Sequence, residues 1–508
     1  MLVKILLLLV FFGVMVAVGV YSRKHATDVN GFVLGGRSVG PWLTAFAYGT
    51  SYFSAVVFVG YAGQFGWRYG IASTWIGLGN AVIGSLLAWV LLGRRTRVMT
   101  RYLDTKTMPD FFGKRYSSRA LKIVASIIIF IFLIPYTASV YNGLSNLFGL
   151  AFDIDYKYCV IAMAVLTAVY VILGGYMATA INDFIQGIIM LIGIVCVIGA
   201  VLSGQGGFLE AIHKLANVTS AESDVPGVYA SFFGPDPLNL LGVIILTSLG
   251  TLGLPQMVQK FYAIKNEKAV QTGTIVSTFF AVVVSGGCYF LGGFGRLFGD
   301  QPGIVVDGGI KYDMVIPTML NTLPDILIGV VIVLVLSASM STLSSLVLTS
   351  SSTLTLDFLM DTVMKKSDEK KQLLTMRILI VFFIVISVII ALDPPDFIAQ
   401  LMGISWGALA GAFLAPFMYG LFWKGTTKLA VWVNFIFAVG LTVSNIYLKF
   451  IASPINCGAI AMVGGLIIVP VVSLITPKLK KEDVEHAFAC YEEEVQVTKK
   501  TSLQEEEV

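Results

Sequence analysis

Charge, histidine and paired cysteine are what this chain has least of. Only 13% of its 508 residues are charged, three are histidine and five are cysteine. Soluble domains usually carry about a quarter charged residues, so a chain of this length cannot coat several water-soluble cores. A soluble enzyme is excluded on that ground. His25, His213 and His486 fall in polar connections, and Cys159, Cys196, Cys288, Cys457 and Cys490 lie far apart. No pair has metal-ligand spacing and nothing suggests a disulfide framework, which argues against a membrane-embedded metal or haem enzyme. The net charge of +4 is too small for a nucleic-acid footprint.

What the chain does have is apolar length. Hydrophobic residues make up 56% and the mean hydropathy is +0.85. Taken as spans of about 20 residues, that length accommodates about a dozen membrane helices. Apolar runs lie near 5–21, 41–65, 72–93, 120–147, 157–174, 178–203, 237–262, 271–298, 324–352, 374–392, 396–423, 429–449 and 457–476. The expected fold is an all-α integral membrane protein with about 13 transmembrane helices. Lys4 before the first run allows a signal peptide, but the run is long and is followed by Arg23, Lys24 and His25, which favours a retained helix.

With the N-terminus outside, Lys and Arg near the helix ends number 25 on the inner side against 7 on the outer. The positive-inside rule therefore predicts a multi-pass protein of the cell membrane with its C-terminus cytoplasmic. The tail, 477–508, mixes Lys pairs with Glu-rich stretches and reads as solvated and mostly disordered. Asn217-Val218-Thr219 fits a glycosylation sequon, a triplet expected once by chance.

Within the spans, polarity is scarce and placed. The second run carries Gly49-Thr50-Ser51 and then Gly60, and the seventh carries Gly250-Thr251-Leu252-Gly253-Leu254-Pro255. Glycine also serves close helix packing. Here, however, each run is the first of five consecutive spans, and paired breaks at corresponding places point to inverted repeats with a site at the midplane. The ninth run holds Ser337-Ala338-Ser339-Met340-Ser341-Thr342-Leu343-Ser344-Ser345. Ala338, Ser341, Thr342 and Ser345 fall at i, i+3, i+4 and i+7, one stripe of a helix, with Ser344 beside it. One or two such hydroxyls usually bond their own helix; so many on one stripe suit a hard cation such as Na⁺. Asp183, near the end of the sixth span, is either a helix cap or a functional carboxylate, since burying it alone is costly.

These pieces resemble the sodium:solute symporter family in order, over about 36–423. They are Ser54-Ala55 with Gly60; Met108-Pro109-Asp110-Phe111-Phe112-Gly113-Lys114-Arg115; Gly174-Gly175 followed by Asp183, Gln186 and Gly187; Pro255 with Phe261; and the hydroxyl segment of the ninth span. The resemblance implies a leucine-transporter-like 5+5 inverted repeat with discontinuous first helices of each repeat. One N-terminal helix (1–22) precedes a core of repeats at about 41–203 and 237–423; two C-terminal helices (429–476) and the cytoplasmic tail follow. It further implies a Na⁺ site at Thr50, Phe53, Ala338, Ser341 and Thr342, and a second site of the kind some members have at Asp183, Ser341, Ser344 and Ser345. Solute contacts would come from Val56, Tyr136, Thr247 and Gln400. Many members have Gln before the seventh-span proline, where this chain has Leu254 and places Gln256 after it.

The expectation is thus a carrier, not an enzyme, that couples Na⁺ entry to import of a small organic solute by alternating access. An amino acid such as proline, or a monocarboxylate, fits best, because the expected interior has no basic pair for a dianion. Pantothenate and a sugar or polyol are the alternatives on the same mechanism. A passive channel or a transporter-like sensor would be a different class. The expected partners are the solute and the lipid bilayer, with no obligatory protein partner evident.

Overall fold

The computed structural model describes residues 2–152, 155–219, 225–306, 309–365, 367–393 and 398–492. It is built from helices, apart from a two-stranded antiparallel ribbon that pairs Val305 with Ile310 and Val306 with Gly309. Among the described residues ten helices are long and apolar enough to cross a membrane, or eleven counting one bent pair. The exact count of 13 spans is not confirmed by these elements. One reason is that two of them run 47 and 49 residues without a gap, about 70 Å each, or more than twice a bilayer core of about 30 Å.

The 49-residue helix, Tyr156–Gly204, covers the fifth and sixth expected spans and kinks at Gly175 (φ 54°, ψ −147°). L side chains rarely adopt that conformation, and a Cβ there would lie 2.8 Å from the Phe32 carbonyl oxygen. Glycine is required, and it sets the angle at which the sixth span, with Asp183, enters the interior.

The seventh span is the bent pair: Pro237–Gly253 and Pro255–Ala263 meet at 43°. Asp236 caps its start by accepting from the Asn239 N–H, with Pro237 in the first turn. The break follows from Pro255, which has no N–H and pushes the preceding residue out of the helical region; Leu254 sits at φ −78°, ψ 125°. The second span breaks without a proline. Pro41–Tyr52 ends at Phe53 (φ −104°, ψ 83°), and a π-helical turn, Val56–Tyr61, resumes the run into Ala62–Tyr69. Ser54 starts that turn, its Oγ accepting from the Val56 N–H and its carbonyl from Val57 and Phe58.

The ninth span, Asp325–Thr353, and the eleventh, Ile398–Phe422, are the innermost: 78% and 89% of their apolar windows are buried, against 22% for the first. The first and tenth spans turn Leu6, Leu9, Val10, Ile378 and Ile389 outward, where lipid accepts apolar side chains.

On the face carrying the 94–119 connection, basic side chains tie helix ends together. Arg37 donates to the Thr105 carbonyl, Arg97 to those of Ile264 and Lys265, and Arg115 to those of Gly420 and Trp423. Lys122 Nζ lies 3.1 Å from Asp110 and 3.5 Å from both Asp357 and Asp361, while Thr107 donates to Asp357 at 2.6 Å. The tail departs from its expectation. Residues 481–492 form a helix whose Val484, Ala487 and Phe488 are buried, and Arg115 lies 4.9 Å over the Phe488 ring. Tyr491 donates to the Leu421 carbonyl, and burial holds its phenol above the ordinary range. Residues 493–508 lie outside the described residues.

Candidate cation and solute sites

The end of the Pro41–Tyr52 helix leaves carbonyls without helical donors, and the ninth span meets them. Ser341 Oγ lies 3.1 Å from the Thr50 oxygen and 3.1 Å from that of Ala338. Thr342 Oγ1 lies 3.4 Å from the Thr50 oxygen, 3.5 Å from that of Ser51 and 3.2 Å from that of Ala338. Adjacent ligands of an octahedral shell with bonds of about 2.4 Å stand about 3.4 Å apart, so this set fits a small hard cation. All of these residues are buried. Four of the five residues expected at the site, Thr50, Ala338, Ser341 and Thr342, are joined by these contacts. Phe53 stands at the break itself, its N–H bonded to the Gly49 carbonyl and its ring 4.2 Å from that of Tyr52. Gly187 lets the sixth span approach: a Cβ there would lie 2.3 Å from Phe46 and 3.0 Å from Thr50.

Beside this site lies a charged pair. Asp183 is fully buried, and Lys260, also buried, places its Nζ 3.7 Å from Asp183 Oδ2. The same ammonium donates to Ser345 Oγ at 2.9 Å and stands 5.3 Å from the Tyr176 ring. Ser345 in turn shares a 2.8 Å hydrogen bond with Ser51. Ser344 is turned to its own helix, donating to the Ser341 carbonyl. Lys260 is not legible in the sequence as a site residue, because it reads as one of three lysines in the 260–270 connection.

The solute candidates divide. The Tyr136 ring packs edge-on against Trp406 at 6.0 Å, Trp406 tilts against Tyr52 at 6.2 Å, and the Tyr52 hydroxyl donates to the Thr247 carbonyl at 2.5 Å. Val56 begins the π-turn after the first break and is buried. The Tyr136 hydroxyl faces Ser54 and the Trp406 indole without closing a hydrogen bond of normal geometry, the Trp406 N–H likewise closes none, and the buried Gln256 amide makes none among the described residues. Buried polar groups normally have partners, so these are the groups poised to receive one. Gln400 sits elsewhere, half-buried, in a cavity of about 200 Å³ with Thr442, Asn445, Lys449 and Cys457.

The model of the sodium:solute symporter family matches residues 32–436. The chain belongs to the sodium:solute symporter family. Among curated members it is similar to the osmoregulated proline transporter of Bacillus subtilis, 28% identical over 93% of this chain and 94% of that protein. It is also similar to the sodium/proline symporter of Staphylococcus aureus, 29% identical over 94% and 93%. Among solved structures, a Na⁺-coupled sialic acid symporter in a substrate-bound outward-open state superposes with a TM-score of 0.76 at 17% identity, covering 94% of this chain and 98% of that one. That likeness is one of fold.

Within this aromatic cluster of the sodium:solute symporter, the residue that the sequence does not single out is Trp406. It is aromatic in an apolar helix and carries no periodic signal. Only the approach of Tyr52 and Tyr136 marks it.

Proposed function

We propose that this symporter couples the entry of Na⁺ to the import of proline or a closely related small amino acid across the cell membrane. The observation that carries the reading is the meeting of the Thr50 and Ala338 carbonyls with the Ser341 and Thr342 hydroxyls at the broken second span. Neutral oxygens bind a monovalent cation without holding it irreversibly. A bound Na⁺ bridges the second and ninth spans and favours the state in which they touch. If solute binds that state best, the two ligands help each other, by the same factor in each direction.

The choice of solute draws on the names of the two bacterial relatives and on the Tyr136–Trp406–Tyr52 aromatic cluster. An apolar ring with one carboxylate and one amine suits a cluster of aromatic faces with polar tips such as the Tyr136 hydroxyl and the Trp406 indole N–H. The basic residues that bind helix ends together fit the face turned to the cytoplasm, with the N-terminus outside.

Radiolabelled proline uptake into proteoliposomes, with and without an inward Na⁺ gradient, tests the reading. Saturable uptake above equilibrium that requires Na⁺ is expected. Equal uptake without Na⁺ would overturn the coupling. Absence of saturable proline uptake, with Na⁺-driven uptake of a labelled monocarboxylate, pantothenate or sugar in its place, would overturn the solute.

A further inference from the structure

Asp183 is the buried carboxylate of the sixth span, and neither of its oxygens makes a hydrogen bond among the described residues. A carboxylate so placed calls for a positive charge. The charge is supplied by the protein. Lys260, on the half-helix Pro255–Ala263 after the seventh-span break, reaches inward until its ammonium is 3.7 Å from Asp183 Oδ2 and 2.9 Å from Ser345 Oγ. The Tyr176 ring offers its face 5.3 Å away. Three spans, the sixth, seventh and ninth, thus meet on one ammonium. Ser345 carries the contact onward to Ser51 beside the first break.

We infer that the Lys260 ammonium is a tethered cation that fills the Asp183–Ser345 cluster, so that this carrier takes up one Na⁺ per solute and has no free second cation site there. Two positive charges cannot share one carboxylate and a few hydroxyls in a buried site, because each would have to be desolvated against the other. A lysine on a half-helix also differs from a free ion in one respect: it cannot leave. It moves only with the helix beyond the break, so the charge balance around Asp183 is kept in every state in which that half-helix stays docked. The driving Na⁺ then uses the Thr50, Ala338, Ser341 and Thr342 site alone, and the inference rests on that site as proposed above.

The experiment is the ratio of ²²Na⁺ to radiolabelled proline taken up by proteoliposomes. The wild-type protein should give one Na⁺ per proline. Lys260→Ala empties the cluster while leaving Asp183, and should raise the ratio to two, with the Hill coefficient for Na⁺ rising from one toward two. The double variant Asp183→Asn/Lys260→Ala removes both charges and should return the ratio to one. If Lys260→Ala folds without transporting, Na⁺-dependent thermal stabilisation of the purified protein reads the same change, from a single-site to a two-site dependence. A wild-type ratio of two overturns the inference, as does a single-site Na⁺ dependence in Lys260→Ala. Loss of all Na⁺ dependence in the wild type is a different result, and would overturn the coupling reading itself.

Discussion

Ser341 Oγ and the Thr50 carbonyl oxygen stand 3.1 Å apart although 291 residues separate them in the chain. The contact exists because one helix stops at Phe53 and another places a hydroxyl where the freed carbonyl points. Ser341→Ala or Thr342→Ala removes one oxygen and leaves the break intact. Hydrogen bonds to charged groups are worth about 1.5–3 kcal/mol. Taking a cation ligand as comparable, the Na⁺ concentration for half-maximal uptake should rise about ten- to a hundredfold. Thr342→Ser keeps the oxygen and should stay near the wild type. Sodium titrations of proline uptake decide it, and unchanged values in both alanine variants would remove these residues from the site.

Tyr136→Phe deletes only the hydroxyl, which closes no hydrogen bond of normal geometry among the described residues. If that hydroxyl receives the solute, the KM for proline should rise by about fivefold, the equivalent of about 1 kcal/mol. Trp406→Phe keeps the packing against Tyr52 while removing the indole N–H, and should act in the same direction. Sodium affinity measured at saturating proline should stay put in both. A KM unmoved by either change would place the solute away from this cluster.

The parts of this molecule that could be read from sequence are those where one helix encodes its own message. The ninth-span hydroxyls repeat with the helical period, so their stripe was visible before any neighbour was known. The seventh-span break announces itself through Pro255. The second-span break is legible only approximately: Gly49 and Gly60 bracket it, but it falls between them at Phe53 and Ser54, where Ser54 recaps the chain. Lys260 was hidden for a different reason. It stands near Lys265 and Lys268 and looks like a loop charge, and only the 43° bend aims it at Asp183. The tail helix does carry a stripe, Val484, Ala487, Phe488 and Tyr491 at i, i+3, i+4 and i+7. Its flanking Lys and Glu residues masked it, and its partner Arg115 lies far away in sequence.

Gly175→Ala places a Cβ on a backbone conformation that only glycine adopts readily and drives it against the Phe32 carbonyl. Such strain costs on the order of 1–3 kcal/mol. The variant should lose thermal stability in detergent, and its uptake should fall mainly through the amount of folded protein. A melting temperature equal to the wild type would mean that the kink at Gly175 can relax without consequence.

Lys122 faces three carboxylates, of which Asp357 is the most buried, with 2% of its side chain exposed against 17% for Lys122. Lys122→Met strands Asp357 without its cation, and breaking a buried pair from one side typically costs about 3–5 kcal/mol. Asp357→Asn removes the stranded charge while leaving Thr107 a partner to donate to. The double variant should therefore be more stable than Lys122→Met alone, with a coupling of about 0.5–3 kcal/mol in the double-mutant cycle. Asp110 and Asp361 remain beside Lys122 in Asp357→Asn, so that single variant should be the mildest of the three. Thermal unfolding of the four purified proteins provides the cycle. Strict additivity would show that Lys122 and Asp357 are neighbours without being partners, leaving the Thr107 hydrogen bond and the Lys122–Asp361 contact to tie the 354–362 segment to 107–122.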